Sequence, residues 1–342
     1  MSISNEANTS SNCLKTETNP DSSMNIDIDC CGDKVINTEH IEMNIEKTEE
    51  AMSNVSLEHK GSDSEERLKN FNVTYSNPQY ATEYIDEIFV YLKELEKASP
   101  HYYPAPEYMK NQYDINEKMR SILLDWLVEV HLKFKLLEET LYLTINLIDR
   151  YLSKKSIHRS NLQLVGVTSM LIACKYEEIY APEVRDFVYI TDKAYNKEDI
   201  IKLENEMLGL LKYEVTVPSG LRFIEIYNNY LKFDEILYLY INYLMELCLV
   251  DYKALQISPS LLATSCAYVA IKLFQKDNIK LTNEITSIED LLEISGFCED
   301  DIRDAAKIVC LIYDNIEKNA NSSIKKKYCL PKFKEIAKIK FT

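Results

Sequence analysis

The chain is 342 residues long, with 39 Lys+Arg against 55 Asp+Glu and a net charge of −16; two compact domains plus extra sequence are expected. That charge argues against non-specific attraction to nucleic acid or anionic lipid, and no apolar run is long enough to span a bilayer, so a soluble, non-secreted protein is expected. Six glycines build no G-x-G-x-x-G or Walker loop, five histidines never fall at metal-binding spacing, and nine cysteines contain no C-x-x-C, so catalytic, metal and cofactor sites are not expected.

Residues 1 to about 75 are rich in Asn, Ser, Thr and Glu and show no periodicity. Residues 1–70 hold 15 acidic and 6 basic side chains, −9 of the −16, so a disordered acidic tail is expected over 1–75. Within 76–100, "YATEYIDEIFVYLKELEK" sets Tyr84, Ile88, Tyr91 and Leu95 on one stripe of a helix, and "SPHYYPAPEY" breaks it. Helix-length blocks follow at 119–135, 138–153, 160–178, 183–190 and 196–212, the last opening on a capping-box-like Asn196 and Asp199. After a linker at Val217-Pro218-Ser219-Gly220 come five more, at 220–232, 235–251, 259–275, 288–295 and 299–318. No alternating strand pattern competes. "LVGVTSMLIACK" (164–175) and "LLATSCAYVAIK" (261–272) are apolar all round, as the central helix of a bundle is. The expectation is all-α: two tandem five-helix domains at 101–217 and 218–342, each wrapped around such a helix. The seven lysines from 325 to 340 read as a solvated tail.

"MRSILLDWLVEVHLKF" (119–134) is apolar on two sides. One arc carries Met119, Ile122, Leu123, Trp126, Leu127, Val130 and Phe134; Leu124, Val128 and Leu132 form a second line nearly opposite. Such a helix is either central in a bundle or keeps one face for a partner. Two charges also fall on apolar stripes: Glu204 among Ile200, Met207, Leu208 and Leu211, and Lys175 among Leu164, Thr168 and Leu171. Unpaired and buried they would cost several kcal/mol. Either they pair with each other, or they point from an apolar surface at a partner's backbone, where a Lys donates to carbonyls and a Glu accepts from N–H groups. Arg120 and Asp149 pose the same puzzle and are expected to form a structural buried ion pair.

These residues carry a resemblance. "MRSILLDWLVEV", "LIDRYLS", "LQLVGVTSMLIACKYEEIYAPEV" and "FVYITDKAYNKEDIIKLE" closely resemble the first cyclin box of a cell-cycle cyclin. "YLMELCLVDY" and "SPSLLATSCAYVAIKL" resemble the second box, and the wording is nearest the B-type mitotic cyclins, with A-type cyclins the rival. The resemblance covers about residues 80–340 and implies a non-catalytic regulatory subunit, nuclear and cytoplasmic, that binds and activates a cyclin-dependent Ser/Thr kinase at the G2/M step. It implies that Lys175 and Glu204 grip the kinase, with Tyr176, Ile179 and Tyr213 around them and Tyr84, Ile88 and Tyr91 from the N-terminal helix. It further implies that Met119, Ile122, Leu123, Trp126, Glu129, Leu162 and Gln163 form an exposed patch that docks Arg-x-Leu segments of substrates or inhibitors.

A transcription-factor-IIB-like DNA-binding protein also has two such domains, but it calls for a basic surface and a cysteine-rich zinc ribbon, which this sequence does not show; neither nucleic acid nor membrane is an expected partner. A helical scaffold without a kinase is the remaining alternative. The chain departs from the B-type pattern in its tail. The one arginine before residue 80, Arg67, is followed by Leu68-Lys69-Asn70, which does not make an Arg-x-x-Leu destruction box, and no Lys-Glu-Asn triplet occurs there.

Overall fold

The computed structural model describes residues 81–98, 100–279, 287–317 and 322–341, and every structural statement below concerns those residues. The tail expected over 1–75 lies outside them. Twelve α-helices are present and no strand is assigned among the described residues: α1 Ile85–Ala98, α2 Glu117–Phe134, α3 Glu138–Lys154, α4 Leu162–Glu177, α5 Val184–Ile190, α6 Lys197–Leu210, α7 Gly220–Leu231, α8 Glu235–Val250, α9 Pro259–Lys276, α10 Ile288–Ser295, α11 Glu299–Glu317 and α12 Ser323–Tyr328.

The helices begin where the backbone finds a cap. Asn116 accepts from Met119 N at 3.0 Å to open α2, and Asn196 and Asp199 close a reciprocal capping box at 2.9 Å each way to open α6. In the first half α4 is central: every residue from Val165 to Cys174 is buried, and α4 packs against α2, α3, α5 and α6. Its small residues let neighbours close in. A Cβ on Gly166 would stand 2.8 Å from Leu123 Cδ1, closer than real contacts allow, so this glycine is what admits α2. In the second half α9 holds the same place, buried from Leu262 through Ile271 and packed against α7, α8, α10 and α11.

The halves meet through a buried charge. Arg120 on α2 grips Asp149 on α3 with Nε to Oδ1 and Nη2 to Oδ2, both at 2.7 Å, and both side chains are almost completely buried. The Tyr108 hydroxyl donates to the same carboxylate at 2.7 Å. The other edge of the guanidinium crosses to the second half, reaching Val250 O at 2.9 Å and Leu249 O at 3.2 Å. Those carbonyls end α8 and have no acceptor role left within it, so Arg120 both satisfies them and sets a positive charge at the negative end of the helix.

The first helix joins the second half. Phe89 of α1 packs edge-on against Phe223 and Tyr227 of α7, with ring centroids 6.2 and 6.0 Å apart. Glu96 accepts from Ser260 N at 2.8 Å and from the Ser260 hydroxyl at the start of α9.

The C-terminal lysines correct a sequence expectation. They are not all a solvated tail: α12 lies against α2 and α8, and Lys327 is 1% exposed, its Nζ 2.6 Å from the equally buried Glu246 of α8. The Tyr328 hydroxyl donates to the same Glu246 oxygen at 2.8 Å. Ile324, Phe333 and Ile336 join the core. The lysine run conceals an apolar face, but of its seven lysines only Lys327 is buried; Lys326, Lys332, Lys334, Lys338 and Lys340 are exposed as expected.

Two predictions follow from the buried charges. Arg120→Met leaves Asp149 a buried charge with only the Tyr108 hydroxyl as donor and two helix-end carbonyls with none, so chemical denaturation should report a loss of about 3–5 kcal/mol. Adding Asp149→Leu removes the orphaned charge and should restore part of that loss. The second concerns Glu138 at the start of α3, whose carboxyl is pushed up to about 7, first by burial and then by the charge of Glu246. Its folded pKa lies above its unfolded value of about 4.5, so the native state binds the extra proton and stability falls as pH rises from about 4.5 to 7. Glu138→Gln should therefore be more stable than the parent at pH 8 and show no such gain at pH 4, measured by urea unfolding at both.

Candidate functional site

Two surfaces carry the residues of interest. The first is built where α4 ends beside the middle of α6. Lys175 Nζ reaches Glu204 Oε1 at 2.6 Å and Oε2 at 2.8 Å, with the lysine side chain 49% exposed and the glutamate 11%. In the free chain, therefore, the two misplaced charges satisfy each other. The pair is open to solvent on the lysine side only.

Apolar side chains stand out around it. Ile179, just beyond α4, is 90% exposed, Tyr213 is 70% exposed, and Tyr176 is half-exposed. Tyr213 owes its position to two successive left-handed residues, Lys212 at φ 54° and Tyr213 at φ 59°, which reverse the chain after α6 while Tyr213 N bonds to Leu208 O at 2.9 Å. Non-glycine residues adopt that conformation at a cost of about 1–2 kcal/mol each. Tyr176 shares a hydrogen bond with Thr216 Oγ1, tying α4 to the linker between the halves. Glu178 accepts from Leu137 N at 2.7 Å and Thr140 Oγ1 at 2.6 Å, which fixes the turn that carries Ile179.

From α1, Ile88 is half-buried and Tyr91 exposed. Both line a cleft of about 810 Å³ whose walls also include Tyr176, Thr216 and the second-half residues Leu255 and Leu262. The structure thus brings Ile88, Tyr91 and Tyr176 to one concavity. Tyr84 is exposed in the turn ahead of α1 and does not line that cleft. Sequence reasoning passed over Tyr180, which is 93% exposed beside Ile179. The two lie in "YEEIYAPEV", and a Tyr preceding Ala-Pro off the end of a helix was the available signal.

The second surface is on α2. Ile122 is 40% exposed, and Met119, Trp126 and Gln163 are half-buried. Leu123 and Leu162 correct the expectation of an exposed patch residue at each position. They are buried, at 5% and 6% exposure, and Leu123 lies against Gly166 of α4, where a Cβ would stand 2.8 Å from its Cδ1. They form the floor beneath Met119, Ile122 and Trp126 rather than part of its surface. Of the same arc, Leu127 and Val130 are buried as well, while Leu124 and Val128 on the opposite line are fully buried. Glu129 is exposed at the end of the patch, with Ser323 Oγ at 2.9 Å and Lys326 Nζ at 3.8 Å.

Among the described residues no group of three or more His, Cys, Asp or Glu side chains is arranged to hold a metal ion, and no helix is long and apolar enough to cross a membrane. The buried Cys174 thiol is pushed up to about 12, chiefly by burial, which leaves it protonated at neutral pH and poor as a nucleophile.

Comparison with known proteins agrees with this architecture. The family model of the cyclin N-terminal domain matches residues 87–216 and that of the cyclin C-terminal domain residues 218–342. A G2/mitotic-specific cyclin-B of Hydra vulgaris is 41% identical over 263 residues, 77% of this chain and 70% of the relative. Cyclin-B1-4 of Arabidopsis thaliana is 40% identical over 267 residues, 78% of this chain and 66% of that protein. The X-ray structure of a viral cyclin from herpesvirus saimiri shares the fold, with a TM-score of 0.53 at 20% identity, covering 67% of this chain and 97% of the viral one. Two successive domain matches and relatives of this likeness over most of the chain make it a member of the cyclin family, of the B type.

Proposed function

We propose that the chain is the non-catalytic regulatory subunit of a cyclin-dependent Ser/Thr kinase, acting in nucleus and cytoplasm at the G2/mitotic step that its relatives' names specify. The observation that carries the reading is the Lys175–Glu204 pair, closed on itself where α4 ends beside the middle of α6, while the chain also leaves Tyr176, Ile179 and Tyr213 exposed at the ends of those helices. Exposed apolar side chains of this size call for a partner. The half-exposed lysine can turn outward while staying solvated, and the mostly buried Glu204 must receive donors from the partner in exchange. On binding, Lys175 turns to the partner's carbonyls and Glu204 to its N–H groups, each new bond to a charged group contributing about 1.5–3 kcal/mol. The exchange favours the complex. Ile179 and the tyrosines then fill the space beside the kinase αC helix and hold it inward, where its Lys–Glu ion pair forms.

The docking role belongs to α2. With Leu123 and Leu162 as floor, Met119, Ile122 and Trp126 offer an apolar seat, and Glu129 offers a carboxylate for the basic residue of an Arg-x-Leu segment. The segment's leucine and arginine match those two parts.

Two experiments test these roles. Lys175→Ala and Glu204→Ala should each weaken kinase affinity by about 1.5–3 kcal/mol, and the double change should weaken it more than either alone. Lys175→Ala leaves the mostly buried Glu204 without its donor, so it should also lower free-chain stability more than Glu204→Ala does; affinity is therefore measured on the folded fraction by calorimetry. Unchanged affinity in both variants, with stability alone reduced, would show the pair to be internal. For docking, Trp126→Ala removes an aromatic anchor expected to contribute about 2 kcal/mol. The ratio of phosphorylation rates for a substrate with and without its Arg-x-Leu segment should fall by an order of magnitude or more. Equal loss for both substrates would remove the docking role.

A further inference from the structure

The docking carboxylate is already in contact with the chain's own C-terminus. At 100° per residue, α12 turns Lys327 inward to Glu246 and leaves Ser323 and Lys326, three apart, on the side facing α2. Ser323 is 1% exposed; its N donates to Asp125 Oδ1 at 2.8 Å and its hydroxyl to Asp125 Oδ2 at 2.7 Å. The same hydroxyl lies 2.9 Å from Glu129 Oε1. A serine has one hydroxyl proton and here meets two carboxylates, so while it serves Asp125 it presents only lone pairs to Glu129. The cation that faces Glu129 is then Lys326, at 3.8 Å, with both side chains more than half exposed.

We propose that the C-terminal segment acts as a built-in competitor at the docking patch. Lys326 occupies the place of the incoming basic side chain, and Asp125 is a positioning residue that fixes α12 so that Lys326 stands opposite Glu129. The inference rests on the docking role proposed for Glu129 and adds its regulation. The segment does not come away: Lys327 and Tyr328 hold it to Glu246 inside the core, with Ile324 and Ile336 buried beside them. Competition is therefore constant, independent of protein concentration, and electrostatic. It selects against weakly basic segments, because an incoming guanidinium must displace an ammonium held beside Glu129. An exposed pair of this kind is weak, which limits its effect to about two- to fivefold in affinity.

The test is binding of a fluorescent Arg-x-Leu peptide to the full chain by anisotropy, beside the same peptide with citrulline in place of arginine. Lys326→Gln should tighten the arginine peptide by about two- to fivefold and leave the citrulline peptide unchanged. Lys326→Glu should tighten it further, and the gain should shrink in 0.5 M salt. Lys326 is exposed, so both variants should melt with the parent, which the same samples check. Unchanged or weaker binding of the arginine peptide, or an equal gain for both peptides, overturns the competitor, and if Trp126→Ala still abolishes binding the docking role survives that failure. If no peptide binds the parent chain or either variant, the docking role falls and the competitor falls with it.

Discussion

A single guanidinium sets the geometry of the molecule. Arg120 meets Asp149 inside the first half and the last carbonyls of α8 in the second, and its guanidinium is fully buried. A buried charge of this kind tolerates few orientations, since tilting the guanidinium to improve one bond strands another. The ends of α2, α3 and α8 are thereby fixed relative to one another. Packing alone would be less exacting, because apolar faces slide with little penalty, whereas a fork of donors does not. Glu246, one turn earlier on α8, repeats the device with Lys327 and Tyr328 and brings in the C-terminal segment.

Rigidity at that junction bears on both surfaces. The proposed kinase face draws Lys175, Tyr176 and Ile179 from the end of α4, Glu204 from α6 and Tyr91 from α1, which itself packs on the second half. Such a face has one shape only if the halves do not rotate. Helix α2, proposed for docking, is also the helix that carries Arg120, so its outer side presents Ile122 and Trp126 while its inner side holds the molecule together. This explains a helix apolar on two sides in an acidic chain: Leu123, Leu124, Leu127, Val128 and Val130 are core, while Met119, Ile122 and Trp126 stay accessible on one side and Leu132 and Phe134 are half-buried near its end.

Much of this was legible in the residues. Uniform burial along 165–174 and 262–271 follows from sequences apolar in every direction, and the helix start at Lys197 follows from Asn196 and Asp199, whereas the Asn116 cap that starts α2 at Glu117 lies ahead of the block read at 119–135. Arg120 and Asp149 announced themselves as charges on apolar stripes. Other features depend on what meets what, which periodicity does not carry. Ile122 and Leu123 are both large aliphatics, and the rotation of α2 against α4 decides which one is buried, with Leu123 lying over the side of Gly166 that has no Cβ. Lys327 reads like its neighbours Lys325 and Lys326, and its burial depends on Glu246, 81 residues earlier in the chain. On α1 the stripe read from the sequence, Tyr84, Ile88, Tyr91 and Leu95, is not the buried one: Ile85 and Phe89 are buried, and the rings of Phe223 and Tyr227 decide that face. Lys175 and Glu204 were visible as misplaced charges, yet whether they meet depends on the crossing of α4 over α6.

The central claim is that the kinase-binding face is preformed and that binding exchanges one ion pair for partner contacts without refolding the chain. Amide hydrogen exchange of the free chain and of its complex with a cyclin-dependent kinase tests it most directly. New protection should be confined to the turn at 178–181, the turn at 212–216 and the exposed side of α1, with α2, α8 and α9 exchanging alike in both states. Broad new protection across α4 and α9 on binding would contradict the account, because it would mean that the kinase organises the fold.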